Sequence, residues 1–539
     1  MFNWNIWSTS VSIIALLIIS PVLAIFYSAF AGDTSLWSHL FSTVLTKYTI
    51  NTIVLMFGVG CLSLLFGISS AWIVTRYNFP LKKILEWALL LPAAIPAYII
   101  AYTYTDFLEY AGPVQGILRD FFNWKSSKDY WFPNIRSMGG AIFVMSSVLY
   151  PYIFLMVRVT FLSTPLSYYQ TSQIHGKNVF FNVAIPLARP SIVAGLALVL
   201  METISDFGTV DYFALETLTL GVFNVWLGMN SLSGAAQISS VLFLLVIILL
   251  TLESIARNKQ RFFEKSSGQN IAEPLETSKI QGIIYLFICL IPLILGFVIP
   301  FIILLSFVLN GFAIINFSEI LSTTFTSISI AILASILVML ISILMVIVSF
   351  YKSNKLQKIL IFLSSCGYAF PGTILAVGVV VFVGWLNDLI YFHINYFTGG
   401  VIVLLFAYTL RFLAVGNGAV KSGIVKINPN ILDTCKIMGF NFFKTIRTMI
   451  VPLIYTNILV GGILIFVDIL KELPMTLLLR PFNFETLATY VYQYASDEML
   501  EECSLAALMI VLTGIGPVIL LNSAIKKVGS IKKSESLIF

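Results

Sequence analysis

Charge is scarce in this 539-residue chain: Asp, Glu, Lys and Arg together make up 10% of it, where a soluble domain carries about 25%. A further 59% is hydrophobic. The apolar residues lie in long continuous runs rather than in alternation, which excludes a transmembrane β-barrel as well as a soluble globule. Cysteine is sparse and scattered, at positions 61, 289, 366, 435 and 503 without a CxxC. That excludes a disulfide framework and a structural zinc site. The three histidines, His39, His175 and His393, are too far apart in sequence to suggest a zinc site or a proton relay, and His175 reads as a polar loop residue. No G-x-x-x-x-G-K-[ST] occurs, since Gly176-Lys177 lacks both the upstream Gly and the following Ser/Thr. The chain therefore does not itself cradle ATP phosphates, and no catalytic residue, metal set or cofactor is indicated. The net charge of +6 sits in short loops beside apolar runs and needs no nucleic acid as partner. There is no sizeable polar domain, which argues against a membrane scaffold or sensor.

What is present is a series of runs long enough to cross a lipid bilayer, each about 20 apolar residues. The first, from Val11 to Phe30, lacks a basic flank and a cleavage site and is expected to be a retained span rather than a signal peptide. The pattern predicts an all-α polytopic membrane protein of about 12 spans, near 8–30, 50–75, 85–106, 138–162, 190–213, 237–257, 281–309, 323–350, 358–385, 399–420, 453–476 and 503–525. A polar stretch carrying Lys259, Arg261, Glu264 and Lys265 divides it into a first membrane domain (1–258), a linker (259–280) and a second membrane domain (281–539). Most Lys and Arg fall on the side that would hold both termini and the linker, so the positive-inside rule places these in the cytoplasm.

The halves repeat. Lys83-Ile84-Leu85 precedes Pro96 as Lys358-Ile359-Leu360 precedes Pro371; Glu202 and Asp206 answer to Asp468 and Glu472; Glu216-Thr217-Leu218 answers to Glu485-Thr486-Leu487. Six spans per half give both halves the same orientation, hence a parallel repeat about an axis along the membrane normal. Two polar, basic elbows recur at matching places. In the second, Asn428 and Pro429 suit a helix start, Gly439 a left-handed stop and Asn441 the next cap. Phe442, Ile446, Met449 and Ile450 then share one face of the following helix. In the first elbow, Thr164-Pro165, Gly176-Lys177-Asn178 and an aromatic pair keep the same order. Such elbows are built to lie at a membrane surface and touch a partner.

Ionisable residues inside spans are costly and usually face a cavity or a partner. Glu202, Asp206 and Asp211 lie along span five, and Asp468, Lys471 and Glu472 along span eleven. Two readings stand side by side. An acidic pore lining would suit a hard cation. Alternatively, Lys471 neutralises one acid and the others bond backbone at broken helix ends near Gly208 and Pro474. Pro96 and Pro371 are expected to kink spans three and nine.

These residues resemble the membrane permeases of type I binding-protein-dependent ABC importers, whose loop motif is E-A-A-x3-G followed by an L-P-x3-P-like stretch. Asp433-Thr434-Cys435, Gly439 and Val451-Pro452 match the spacing in the second elbow; Gln170-Thr171-Ser172, Gly176, Ile185-Pro186 and Pro190 match it in the first. Neither copy keeps E-A-A, and Gln170 lacks the charge. The fused two-half form, with D-F-G-T-V-D-Y-F from Asp206 and L-K-E-L-P-M-T-L-L-L-R-P from Leu470, resembles the ferric-iron permease subfamily. The resemblance implies the type I importer transmembrane fold in a bacterial inner membrane. It also implies two cytoplasmic ATPase subunits docked at the elbows (Gln170, Gly176, Asn178 and Pro186; Asp433, Gly439, Asn441 and Pro452) and a periplasmic binding protein that delivers the solute. The intervals from elbow Gly to Pro, ten residues in one copy and thirteen in the other, predict unequal docking. The alternative is an ion-coupled secondary transporter with cation sites among the acids of spans five and eleven.

Overall fold

In lipid every backbone polar group must be satisfied internally, so apolar runs close as helices. The computed structural model describes residues 6–31, 35–258, 274–352, 355–390, 400–425, 427, 434–435 and 437–535. Among them, ten helices are long and apolar enough to cross a membrane, and eleven if a pair bent by 92° counts as one span. That pair, Lys82–Ala94 and Ala97–Phe122, stands at the expected third span. The expected ninth span is also interrupted, into Lys355–Ser364, a 3-10 turn Gly367–Ala369 and Gly372–Ile390. The physical reason is common to both: Pro96 and Pro371 have no N–H to donate and force the residue before them out of the helical region. Each therefore divides its span rather than merely kinking it. Spans five and eleven likewise end early, at Ser205 and Leu470, and each is followed by a separate short helix, Gly208–Tyr212 and Pro474–Leu479.

Proline shapes a second kind of irregularity. Four π turns occur among the described residues; three of them, Phe180–Ala184, Ile294–Val298 and Ile446–Ile450, end two residues before a proline (Pro186, Pro300 and Pro452), and the fourth, Asn224–Gly228, closes its helix without one. A proline ring collides with the carbonyl four residues back. Widening the preceding turn to the i→i+5 pattern accommodates it without breaking the helix.

The chain forms two compact units, neither continuous in sequence. Unit 1 comprises Met1–Ser42, Gly221–Phe243 and Phe317–Tyr490. Its centre is the packing of Phe317–Lys352, Val401–Ile424 and Val451–Leu470 against one another, with the first helix, Ile6–Ala31, laid against Gly372–Ile390. Unit 2 comprises Thr43–Leu220, Leu244–Asn316 and Val491–Phe539. Its centre is Leu45–Arg76, Met138–Ser163 and Ile185–Ser205, flanked by Lys279–Asn310 and Leu500–Glu535. Close helix approach in each depends on a small residue at the same repeat position. A Cβ on Gly195 would stand 2.8 Å from the Ile153 Cα, and one on Gly461 would collide with the Ala419 Cβ.

The internal repeat is written in hydrogen bonds as well as sequence. Leu218 N donates to Thr52 Oγ1 (3.0 Å) within unit 2, and Leu487 N donates to Ser327 Oγ (2.7 Å) within unit 1. A two-residue parallel pairing, Tyr77–Asn78 with Leu275–Glu276, fastens the far end of the polar linker within unit 2. Asn78 Nδ2 reinforces it by donating to Glu276 Oε1 (2.9 Å).

Candidate functional site

The two elbows adopt one backbone design. In the first, the helix Leu166–Ile174 ends at Gly176, whose φ is +63°; in the second, Gly439 has φ +71°. A side chain at these angles would be strained. The residue after each glycine folds its N–H back five positions: Lys177 N to Ser172 O, and Phe440 N to Cys435 O, both 3.0 Å. This is the six-to-one closure that a left-handed glycine makes possible at a helix end. An asparagine then opens the next helix. Phe180 N and Phe181 N donate to Asn178 Oδ1 (3.0 and 3.3 Å), and Lys444 N donates to Asn441 Oδ1 (2.8 Å). From there the copies differ. The π turn begins two residues after Asn178 but five after Asn441, where Phe442–Thr445 intervenes. The three-residue difference in the sequence thus falls between cap and π turn, while Pro186 and Pro452 hold the same place beyond it.

Gln170 is exposed on the first elbow, and Asp433, its counterpart, lies outside the described residues together with Asn428 and Pro429. Sequence reasoning missed the most exposed apolar pair. Ile174 and Ile437 occupy equivalent positions two residues before each glycine, with 83% and 85% of their surface exposed. Phe181 and Phe443 are exposed nearby, whereas Ile450 of the expected apolar face is buried. A repeated apolar residue held out on a polar loop is the kind of feature that marks a contact surface. His175 Nδ1 lies 2.8 Å from Thr171 O and serves the elbow itself.

Two acids of spans five and eleven, Asp206 and Glu472, occupy helix breaks. Asp206 ends Ile185–Ser205, and its carboxylate accepts from Thr209 N (2.9 Å), Val210 N (3.3 Å) and Thr209 Oγ1 (3.1 Å), capping Gly208–Tyr212. Glu472, its repeat partner, accepts from Met475 N (3.3 Å) at the start of Pro474–Leu479. Capping by a carboxylate satisfies orphan amides and complements the helix dipole. Glu472 also faces Arg411, Nη1 to Oε1 3.3 Å, with both side chains buried. Arg411 was not singled out from the sequence; a lone Arg in an apolar run was the available signal. Lys471 pairs with Asp468 at 2.8 Å, as the neutralising reading requires. Glu202 is half-buried one turn before Asp206.

Asp211 stands apart from these. Its Oδ2 accepts from the hydroxyl of Tyr492, 2.5 Å away in the helix Leu487–Ser496. Tyr212 beside it packs edge-on against Tyr102 (4.4 Å between centroids) and lies under the Arg136 guanidinium (4.9 Å). Arg136 is held by Glu109 (2.6 Å) and Glu498 (3.3 Å). Among the described residues no group of three or more His, Cys, Asp and Glu is placed to hold a metal. The five acids and one lysine of the expected pathway divide into two helix caps, one ion pair, one tyrosine–carboxylate contact and Glu202.

Residues 63–265 match the family model described as "Binding-protein-dependent transport system inner membrane component". The chain is 26% identical to the Fe(3+)-transport system permease protein FbpB 2 of Haemophilus influenzae over 463 residues, 84% of this chain and 85% of the relative. It is 24% identical over 197 residues to the molybdenum transport system permease protein ModB of Escherichia coli (35% of this chain, 82% of the relative). It is 26% identical over 212 residues to the sulfate transport system permease protein CysT of Salmonella typhimurium (37% and 70%).

Proposed function

On the premise that the chain belongs to the inner-membrane components of binding-protein-dependent ABC importers, we propose that it conducts ferric iron into the cytoplasm through alternating access driven by separate ATPases. The observation that carries this reading is the pair of elbows, alike in glycine angle, backbone closure, asparagine cap and exposed isoleucine. Two ATPase subunits dock on them from the cytoplasm, where both termini and the linker also lie, and a periplasmic binding protein supplies solute at the opposite face. The repeats 1–258 and 281–539 contribute one elbow each. Iron as the cargo is supported by the relative that matches along most of this chain, whereas the molybdenum and sulfate permeases match about a third of it.

The missing three residues leave the first elbow shorter by about 4.5 Å of helix, so the two docks are unequal. The secondary-transporter reading loses its support where Asp206, Glu472 and Asp468 are engaged in caps and a pair. The deciding experiment is co-purification of the detergent-solubilised chain with its ATPase subunits, for wild type, Gly176→Arg and Gly439→Arg. Both glycines have open space around a built Cβ, so the strain stays local to the elbow. Loss of one ATPase in each variant supports the proposal, with the larger loss at Gly439. Unchanged retention in both variants, or gradient-driven uptake by the chain alone in proteoliposomes, overturns it.

A further inference from the structure

The repeat provides an internal control on which polar groups the fold itself needs. Asp211 is the fourth residue of Gly208–Tyr212, Tyr102 the sixth of Ala97–Leu108 and Tyr492 the sixth of Leu487–Ser496. The same places in the other copy, at the offsets of 266, 275 and 269 that relate the repeats elsewhere, hold Leu477, Val377 and Phe223. Each is the fourth or sixth residue of the matching helix, and all three belong to unit 1. The architecture at this position thus forms with three apolar side chains. In unit 2 it carries a carboxylate and two phenols instead, so their polarity answers to something other than folding.

The polar copy is also incompletely satisfied. Tyr492 donates to Asp211 at 2.5 Å, but the Tyr102 hydroxyl, on a residue only 2% exposed, has no hydrogen-bond partner among the described residues. A buried hydroxyl without a partner is costly, by about 1–3 kcal/mol, and needs an explanation. The Tyr102 ring packs edge-on against Tyr212, the residue after Asp211 (4.4 Å between centroids), within electrostatic range of the Asp211 carboxylate and the Tyr492 hydroxyl. Tyr98 and Cys503 are the other titratable neighbours in that range; the Cys503 thiol donates to Leu500 O (3.6 Å). Asp211 and Tyr492 are half-buried, which leaves the cluster open on one side.

We propose that Asp211, Tyr492 and Tyr102 form a transient oxygen-donor site for trivalent iron within unit 2. This rests on the ferric reading above and assigns it to residues. Carboxylate and phenolate oxygens are hard ligands suited to a hard cation. Binding displaces one proton from each phenol to solvent, and the iron keeps its oxidation state. One carboxylate and two phenolates then balance the trivalent charge, so the loaded site is neutral. Neutrality matters here because an uncompensated ion in a low-dielectric interior is very costly. Release reverses the step: the phenols regain their protons and the iron leaves.

The test uses the full chain, purified in detergent and titrated with iron(III) nitrilotriacetate, with the visible phenolate-to-iron charge-transfer band as readout. Wild type is expected to develop the band. Tyr492→Phe, which installs the residue of the other repeat, and the conservative Tyr102→Phe are expected to weaken or remove it. Asp211→Asn should raise the iron concentration needed at half-saturation by about tenfold or more, the scale of ligand-support losses in metal sites. Tyr27→Phe, in the first helix of unit 1, should behave as wild type. No band in wild type, or a band unchanged in the Tyr102/Tyr492 double variant, overturns the site. ATP-driven uptake of iron by the chain reconstituted with its ATPases and binding protein separates the two failures. Iron transport without the band removes this site alone, and molybdate transport without iron transport removes the ferric reading.

Discussion

Single residues carry two testable strains. Gly372 lies so near Arg411 and Glu472 that a Cβ there would meet Arg411 Nη1 and stand 2.7 Å from Glu472 Oε1. That buried pair has no room to relax, and removing one partner leaves an uncompensated charge, typically a loss of about 3–5 kcal/mol. Arg411→Met should therefore lower the thermal midpoint in detergent markedly, and Arg411→Met with Glu472→Gln should recover part of it. A midpoint unchanged in the single variant would show that the pair contributes nothing. The second strain is Ala214, a non-glycine residue at φ +53° in the turn after Gly208–Tyr212. The left-handed region is unfavourable for alanine by about 1–2 kcal/mol, so Ala214→Gly should raise the midpoint; a fall would mean that chain entropy outweighs the strain. Only part of this was legible from sequence. The sequence suggested that Lys471 neutralises one acid without saying which, and the acid is Asp468, three residues before it. Arg411 and Glu472 are distant in the chain, and only packing brings them together.

At the scale of an element, prolines account for most departures from regular helices. They were visible in sequence, but the response each helix makes was not. Pro96 and Pro371 divide their spans, whereas Pro186, Pro300 and Pro452 are absorbed by a π turn. Replacing Pro452 with Ala restores a donor at that position. Relaxing the π turn to an α turn would rotate everything before it by about 100° relative to the span. The expected outcome is a slowly exchanging amide at residue 452, an intact fold and weaker retention of an ATPase; an amide that exchanges freely would show the π turn to be independent of the proline. The loop before Met138–Ser163 behaves differently. Asp129 accepts from Ser126 N and Lys125 N, both 2.8 Å, and these bonds, Ser126 first, hold its carboxyl below the usual carboxylate range. A lowered value means the loop gains from the charge above the ordinary carboxylate pKa and loses that gain as pH falls through the lowered one. Exchange of the Lys125 and Ser126 amides, referred to an unstructured peptide at each pH, should lose protection on acidification, and Asp129→Asn should abolish that pH dependence.

At the scale of the molecule, chain order and spatial grouping part company. The repeat could be read from sequence because matching motifs recur at nearly constant offsets. The exchange of segments could not: Ile6–Ala31 is apolar throughout and gives no cue that it joins Phe317–Tyr490 in unit 1 rather than its own repeat. Each unit therefore needs polypeptide from both sides of the linker. A chain divided between residues 265 and 266 should yield fragments that are degraded when made alone and co-purify when made together; a stable, monomeric 1–265 would contradict it. The elbows bear on how such a molecule meets its partners. Their bends are closed by the chain's own amides at Lys177 and Phe440 and capped by its own asparagines, so these bends are formed before any contact. Preorganisation of this kind spares the entropy that a floppy loop surrenders on binding. In the docking proposed above, encounter frequency then sets the speed of assembly, and the depth to which Ile174 and Ile437 become buried sets its lifetime.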